Sequence, residues 1–153
     1  MSTDRLGLAV GDHLPAITKN VTQEKMDRFE QVGRMLKSKG QEEPAPINIH
    51  TDAIRAREMG LSRPVASGQM SFAYLHELLA RRFGADFRQG GQLSVTFLRP
   101  VYLGDVVTAR GVVIKQEKVE HRTRLFLQVW LENRNGQRTA TGEAEVIIPS
   151  PLT

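Results

Sequence analysis

The spacing of apolar residues changes near residue 90. Before it, apolar positions recur at helical intervals, and after it they mostly alternate with polar ones. The clearest helical stretch runs from Gly68 to Phe83, with Phe72, Leu75, Leu78, Leu79 and Phe83 on one broad face. A helix with such a face usually packs against a sheet. This pattern predicts a central helix at about 68–83, which Gly84 ends.

Two further helices are predicted upstream. Thr22 is a suitable N-cap for a helix from Gln23 to about Met35, whose apolar residues are Met26, Phe29 and Val32. Asp52 can cap a short helix through Met59, with Gly60 as its stop. Residues 1–21 are predicted to be an irregular lead-in with a turn at Gly11-Asp12, and residues 37–46 a polar, proline-broken loop.

The chain after Gly90 is predicted to form strands. Alternation is strongest in one strand, where Leu125, Leu127, Val129 and Leu131 alternate with Phe126, Gln128 and Trp130. Because both sets contain bulky apolar residues, both faces of that strand should be partly covered. Asn133 to Gly136 is predicted to be a hairpin turn, since Asn-Gly adopts positive φ easily. A helix followed by antiparallel strands predicts an α+β fold, and we expect one domain over residues 1–153.

Composition narrows the classes of function. The chain has no cysteine, which excludes disulfides and thiolate metal sites, and its four histidines lack metal-ligand spacing. The net charge of +4 and a pI of about 9.8 suit an anionic partner. Aromatic residues make up only 6% and the basic residues are scattered, so a phosphate-bearing small molecule is favoured over nucleic acid. No membrane span or secretory signal is predicted, and the expected location is cytoplasmic.

Two residues suggest thioester chemistry. His50 lies in a loop, and a histidine side chain is the type that can exchange protons near neutral pH, so it is a candidate acid/base. Gly68 begins the central helix, where an unpaired backbone N–H at the positive end of the helix dipole can stabilise an oxyanion. Each residue also has a structural interpretation. His50 could instead hydrogen-bond the loop backbone, and Gly68 could simply permit a tight entry into the helix.

Three segments resemble the MaoC-like, (R)-specific enoyl-CoA hydratase branch of the hot-dog fold. They are Ile49–Asp52 (IHTD), Val65–Met70 (VASGQM) and Phe97–Asp105 (FLRPVYLGD), and their order and spacing are similar to those of the family. Each motif is weak alone, but the set is fairly specific. The resemblance implies a curved antiparallel sheet wrapped around the helix at 68–83, and dimers whose active sites lie near the subunit interface.

The resemblance also implies an activity and site residues. It implies an enoyl-thioester hydratase or 3-hydroxyacyl-thioester dehydratase in which His50 and Gly68 are catalytic. Asn48, Ser67 and His76 are then expected to bind substrate. His76 stands where the family has a small polar residue. We expect no cofactor and no metal, since CoA or an acyl-carrier protein would be present only as part of the thioester substrate.

One departure from the family pattern affects the reaction. The family has an aspartate five residues before the histidine, and this chain has Ala45 there. Glu42 or Glu43 could supply the carboxylate, although solvated loop charges are the commoner role. Two alternatives stay open. One is a non-catalytic acyl-thioester-binding subunit of a heteromeric dehydratase. The other is a thioesterase that uses Glu77 or His76, although the spacing of Glu77 and Arg81 favours a helix-surface ion pair.

Overall fold

The structure of the protein, a computed structural model, describes residues 7–41 and 44–150. Its strands are β1 (Ile17–Asn20), β2 (Gln92–Phe97), β3 (Val106–Val119), β4 (Arg122–Glu132) and β5 (Arg138–Pro149). Its helices are α1 (Gln23–Lys37), α2 (Ala53–Glu58), α3 (Gly68–Phe83) and α4 (Ala85–Gly90). The strands form one antiparallel sheet in the order β1-β3-β4-β5-β2. The α+β prediction is therefore confirmed.

Helix α3 is the central helix, and it has the predicted bounds. It contacts β2, β3, β4 and β5, and Leu75, Leu78, Leu79 and Phe83 are buried in the core. Phe72 departs from the predicted face, because it lies at the edge of the apolar stripe and is 38% exposed. Buried Met70 and Ala80 complete the face instead. Burial of this face is the main interaction that holds the helix on the sheet.

Strand β4 is covered on both faces, as its sequence predicted. Leu125, Leu127, Val129 and Leu131 are completely buried against the core. On the other face, Trp130 is only 9% exposed, and the Arg138 guanidinium lies 4.5 Å from the centre of its ring. A cation over an indole face is a favourable contact. The hairpin after β4 also forms as predicted, with Gly136 at a φ of 72°.

Two short elements were not predicted. The expected irregular lead-in contains β1, four residues that pair with β3 from Ile17 opposite Ala109 to Asn20 opposite Val106. The turn at Gly11 is present. Immediately after Gly84, six residues form α4, which buries Phe87. Elements this short contain too few repeats to show a hydrophobic period, and tertiary packing determines their structure.

The predicted caps of α1 and α2 are confirmed. Thr22 Oγ1 accepts from Lys25 N at 3.3 Å, and Asp52 Oδ1 accepts from Arg55 N at 2.9 Å. The apolar side of α1 is narrower than predicted, because Val32 is 41% exposed whereas Met26 is buried. Among the described helices, none is both long and apolar enough to cross a membrane.

Strand β2 lies at one edge of the sheet and ends beside the start of α3. It fits closely against β5, since a Cβ added at Gly142 would lie 2.5 Å from the backbone oxygen of Ser94. The last residue of β2, Phe97, is 53% exposed and covers Gly68. The sheet edge therefore fixes an aromatic ring over the first turn of the central helix.

Candidate active site

His50 is held in a defined orientation by the turn at 48–51. Its backbone N–H donates to Asn48 Oδ1 at 2.8 Å, and its Nδ1 lies 2.7 Å from the carbonyl oxygen of Val65. A carbonyl oxygen can only accept, so Nδ1 carries the proton of the neutral ring. The other nitrogen, Nε2, then has a free lone pair and is available as a base.

The segments before and after His50 are tied to the rest of the fold by backbone hydrogen bonds. Val65 N donates to Ile49 O at 3.2 Å, and Ala66 N donates to Val101 O at 2.8 Å. From α1, Gln23 Nε2 donates to His50 O at 3.0 Å. These bonds bring His50 next to the start of α3, although seventeen residues separate His50 from Gly68 in the chain.

The first turn of α3 presents an unused donor. Ser67 is the N-cap, and its Oγ accepts from Met70 N at 3.3 Å. The backbone N–H of Gly68 has no acceptor among the described residues, and Gly68 itself is exposed. Such a donor at the positive end of a sixteen-residue helix is suited to an anion or a developing oxyanion.

The aromatic ring of Phe97 requires a small residue at position 68. A Cβ added at Gly68 would lie 3.0 Å from Phe97 Cε2 and 3.1 Å from Cζ. That is closer than ordinary contact, so any side chain would force the ring to move. Glycine therefore leaves the N–H accessible beside the ring and lets a ligand approach the backbone closely.

His50, Ser67 and Gly68 line the same cavity, which has a volume of about 970 Å³. One wall is α1, which contributes Phe29, Glu30, Gly33, Arg34, Leu36 and Lys37. Among the described residues, the rest of the lining comes from Pro46, Gln69 and Phe97. Three of the predicted site residues are thus brought together, and the volume is in the range of small-molecule sites.

Asn48 lies behind His50 rather than in the cavity wall. Its Oδ1 accepts from His50 N, and its Nδ2 lies 3.5 Å from Glu30 Oε2. A substrate-binding role for Asn48 stays a prediction. Within the described residues, its contacts are those of a side chain that shapes the turn.

Glu30 is a cavity residue that was not predicted from the sequence. A signal existed, because Gln23, Asp27 and Glu30 are spaced to share one face of α1. Ala45, at the position of the family's aspartate, has only a methyl group. Glu42 and Glu43, the predicted substitutes, lie outside the described residues.

His76 is not part of this cavity. Its ring packs on Phe87 of α4, with ring centres 5.1 Å apart. A substrate-binding role for His76 stays a prediction, and it would require a route to the ligand other than the cavity that holds His50.

Glu77 forms the helix-surface ion pair that its spacing favoured. Its carboxylate lies 2.6 Å from Arg81 Nη2 and 2.7 Å from Lys19 Nζ. Partial burial would raise the pKa of Glu77, but the hydrogen bonds and charges of Lys19 and Arg81 outweigh it and lower the pKa. A carboxylate held by two cations on the outer side of α3 is a poor candidate for a thioesterase base.

Comparisons with known proteins agree with this fold. The R-hydratase PhaJ1 from Pseudomonas aeruginosa, in its unliganded form, is 24% identical with a TM-score of 0.71, over 94% of this chain and 84% of that chain. The (R)-hydratase from A. caviae involved in PHA biosynthesis is 21% identical with a TM-score of 0.71, over 95% and 98%. No curated protein sequence matches.

A third similar structure is the HadBC (3R-hydroxyacyl-ACP dehydratase) complex from Mycobacterium tuberculosis, at 14% identity and a TM-score of 0.65, over 90% of this chain and 96% of that chain. At these identities the three structures establish the hot-dog fold rather than an activity. The family profile described as the MaoC-like domain matches residues 46–142. Because that match spans well over half of the sequence, the chain belongs to the MaoC-like dehydratase family.

Proposed function

We propose that the protein is an enoyl-thioester hydratase, or in the reverse direction a 3-hydroxyacyl-thioester dehydratase. One observation carries this proposal. The imidazole of His50, with its free Nε2, and the unpaired N–H of Gly68 line one cavity. Hydration of a conjugated thioester needs a base for water and a donor for the thioester oxygen, and these two groups supply them.

The reaction can be written with these two groups. A water oxygen bonds to C3 of the enoyl chain while His50 Nε2 takes one of its protons. The π electrons move toward the thioester, and the negative charge on its oxygen is stabilised by the Gly68 N–H. The protonated imidazole then gives its proton to C2, which restores the thioester carbonyl. The sum is addition of one water molecule, and no other reactant is needed.

The cavity also suits the two ends of an acyl thioester. Phe29, Leu36 and Phe97 give it apolar surface against which an acyl chain can be buried. Lys37 lines the same cavity and offers a positive charge to a phosphate. CoA and the phosphopantetheine arm of an acyl-carrier protein both carry phosphate, so thioesters of either kind fit the proposal.

We expect the purified protein to hydrate crotonyl-CoA or a longer or branched enoyl-CoA. Hydration removes the conjugated double bond, so the loss of enoyl-thioester absorbance reports the reaction. A thiol reagent in a parallel sample serves as the control, because thioesterase activity would release free CoA. Absence of turnover on every enoyl chain tested, with or without tight binding, would contradict the proposed activity.

We further propose that the protein forms a homodimer through the edge of the sheet at β2. This edge strand is largely exposed, and an exposed edge is often covered by pairing with another strand. Since β2 ends at Phe97, a partner subunit paired there would lie beside the cavity.

Light scattering coupled to size-exclusion chromatography tests the assembly. We expect a mass of twice the 17.1 kDa chain at micromolar concentration. A monomeric mass under those conditions would contradict the dimer, and it would leave the proposed activity to the turnover assay.

A further inference from the structure

A carboxylate stands in the cavity wall although the family's aspartate position is occupied by Ala45. Within residues 7–41 and 44–150, the acidic residue that lines the cavity with His50 and Gly68 is Glu30. It is half-buried, and it is located on α1 rather than in the loop before His50. A carboxylate in this wall, which also contains Arg34 and Lys37, can accept a hydrogen bond from a water molecule in the cavity.

Asn48 connects Glu30 to His50. The backbone N–H of His50 can only donate, so the oxygen of the Asn48 amide must face it, at 2.8 Å. The Nδ2 group then points the other way, and it lies 3.5 Å from Glu30 Oε2. The Asn48 amide therefore lies between the two groups: its oxygen contacts the turn that carries His50, and its nitrogen faces Glu30.

The position of Glu30 is fixed by the helix on which it lies. Gln23, on the same face of α1, donates to Asp27 Oδ1 at 2.7 Å and to His50 O at 3.0 Å. This face therefore touches the His50 turn at two points, through Gln23 and through Glu30. Other acidic residues on neighbouring elements have separate partners, since Asp27 accepts from Gln23, Asp52 caps α2, and Glu77 on the outer side of α3 binds Lys19 and Arg81.

We propose that Glu30 is a catalytic residue that takes over the task of the carboxylate missing at Ala45. This inference rests on the proposed hydratase function. The Glu30 carboxylate accepts one hydrogen bond from the attacking water, and His50 Nε2 accepts the other. As the water oxygen bonds to C3, His50 removes its proton and later delivers it to C2. Glu30 stays ionised throughout, orients the water and stabilises the imidazolium. The net change is therefore still the addition of one water molecule.

The test compares Glu30→Gln with the unchanged protein in the crotonyl-CoA assay. Glutamine keeps the size of the side chain and an oxygen that can accept from Asn48, but it has no negative charge. We expect kcat to fall by about 10²-fold or more, since misplacing the attacking water alone can cost that much, while KM changes by less than about threefold. Glu30→Asp should keep part of the rate. Glu24→Gln, an exposed change in the first turn of α1, is the matched control and should leave kcat unchanged.

A carboxylate placed at position 45 of the Glu30→Gln protein distinguishes a chemical role of Glu30 from a structural one. Adding Ala45→Asp to the Glu30→Gln protein should recover at least about tenfold in kcat, since it returns a charge to the family's position. Melting temperatures of all variants identify any loss of folding, which this rescue would not repair. A Glu42→Gln/Glu43→Gln double variant should retain the full rate.

Three outcomes would overturn the role of Glu30. They are a Glu30→Gln rate within about threefold of the original, failure of Ala45→Asp to rescue, and a large loss in the Glu42/Glu43 double variant. In each of these cases the unchanged protein still turns over, so the hydratase function stands. An unchanged protein that shows no turnover would instead overturn both the function and the role of Glu30.

Discussion

Replacing His50 by glutamine is expected to lower kcat for hydration of an enoyl-CoA by about 10³-fold, within the usual range for loss of a general acid/base. Glutamine is similar in length and can still hydrogen-bond the Val65 carbonyl, but its amide cannot exchange a proton near neutral pH. Because Nδ1 is hydrogen-bonded to the Val65 carbonyl, Nε2 is the nitrogen proposed to transfer the proton, and the substitution removes it. KM should change little, because the cavity walls are otherwise intact.

Two controls make this prediction specific. His121→Gln changes an exposed histidine in the turn between β3 and β4 and should leave kcat unchanged. Binding of butyryl-CoA, a saturated thioester that cannot be hydrated, should be the same for the His50→Gln protein and the original when measured by calorimetry. A His50→Gln protein that retained more than about a tenth of the original kcat would show that another group is the base.

The sequence predicted the elements whose hydrophobic period is long. Helix α3 and strand β4 each repeat their pattern over several turns or residue pairs, and both formed where expected. The apolar face of α3 packs against β4, and the apolar face of β4 packs against α3. The local hydrophobic pattern and the tertiary packing therefore favour the same structure. β1 and α4 have no such repeat. β1 is a strand because the free edge of β3 is beside it, which is information that the lead-in itself does not contain.

The candidate site was only partly predictable for a related reason. His50, Ser67 and Gly68 lie in motifs that resemble the family, and backbone bonds from Val65 and Ala66 bring them to one cavity. Glu30 belongs to no motif and is twenty residues before His50 in the chain. Its proximity depends on the angle at which α1 crosses the cavity, which Gln23 and Asn48 fix by side-chain contacts. Such contacts leave no periodic signal in a single sequence.

Gly68→Pro is expected to lower kcat by about 10²–10³-fold, which is the usual effect of removing one oxyanion donor. Proline has no N–H, so the substitution deletes the proposed donor directly. It is compatible with the helix, because Gly68 is the first helical residue and proline is favoured at that position. The preceding residue, Ser67, has φ of −66° and ψ of 151°, a conformation that suits the residue before a proline.

Gly68→Ala is the matched control, because it adds side-chain bulk and keeps the N–H. Its Cβ would press on Phe97, at 3.0 Å from Cε2, but that ring is 53% exposed and can shift. We expect less than about a tenfold loss of kcat from this displacement. The difference between the proline and alanine variants therefore measures the effect of replacing the N–H by the ring carbon of proline, provided that both proteins melt within a few degrees of the original. Equal rates for the two would contradict Gly68 as the oxyanion donor.

The next N–H of α3, that of Gln69, would then be the group to test, since Gln69 lines the same cavity one residue further along the helix.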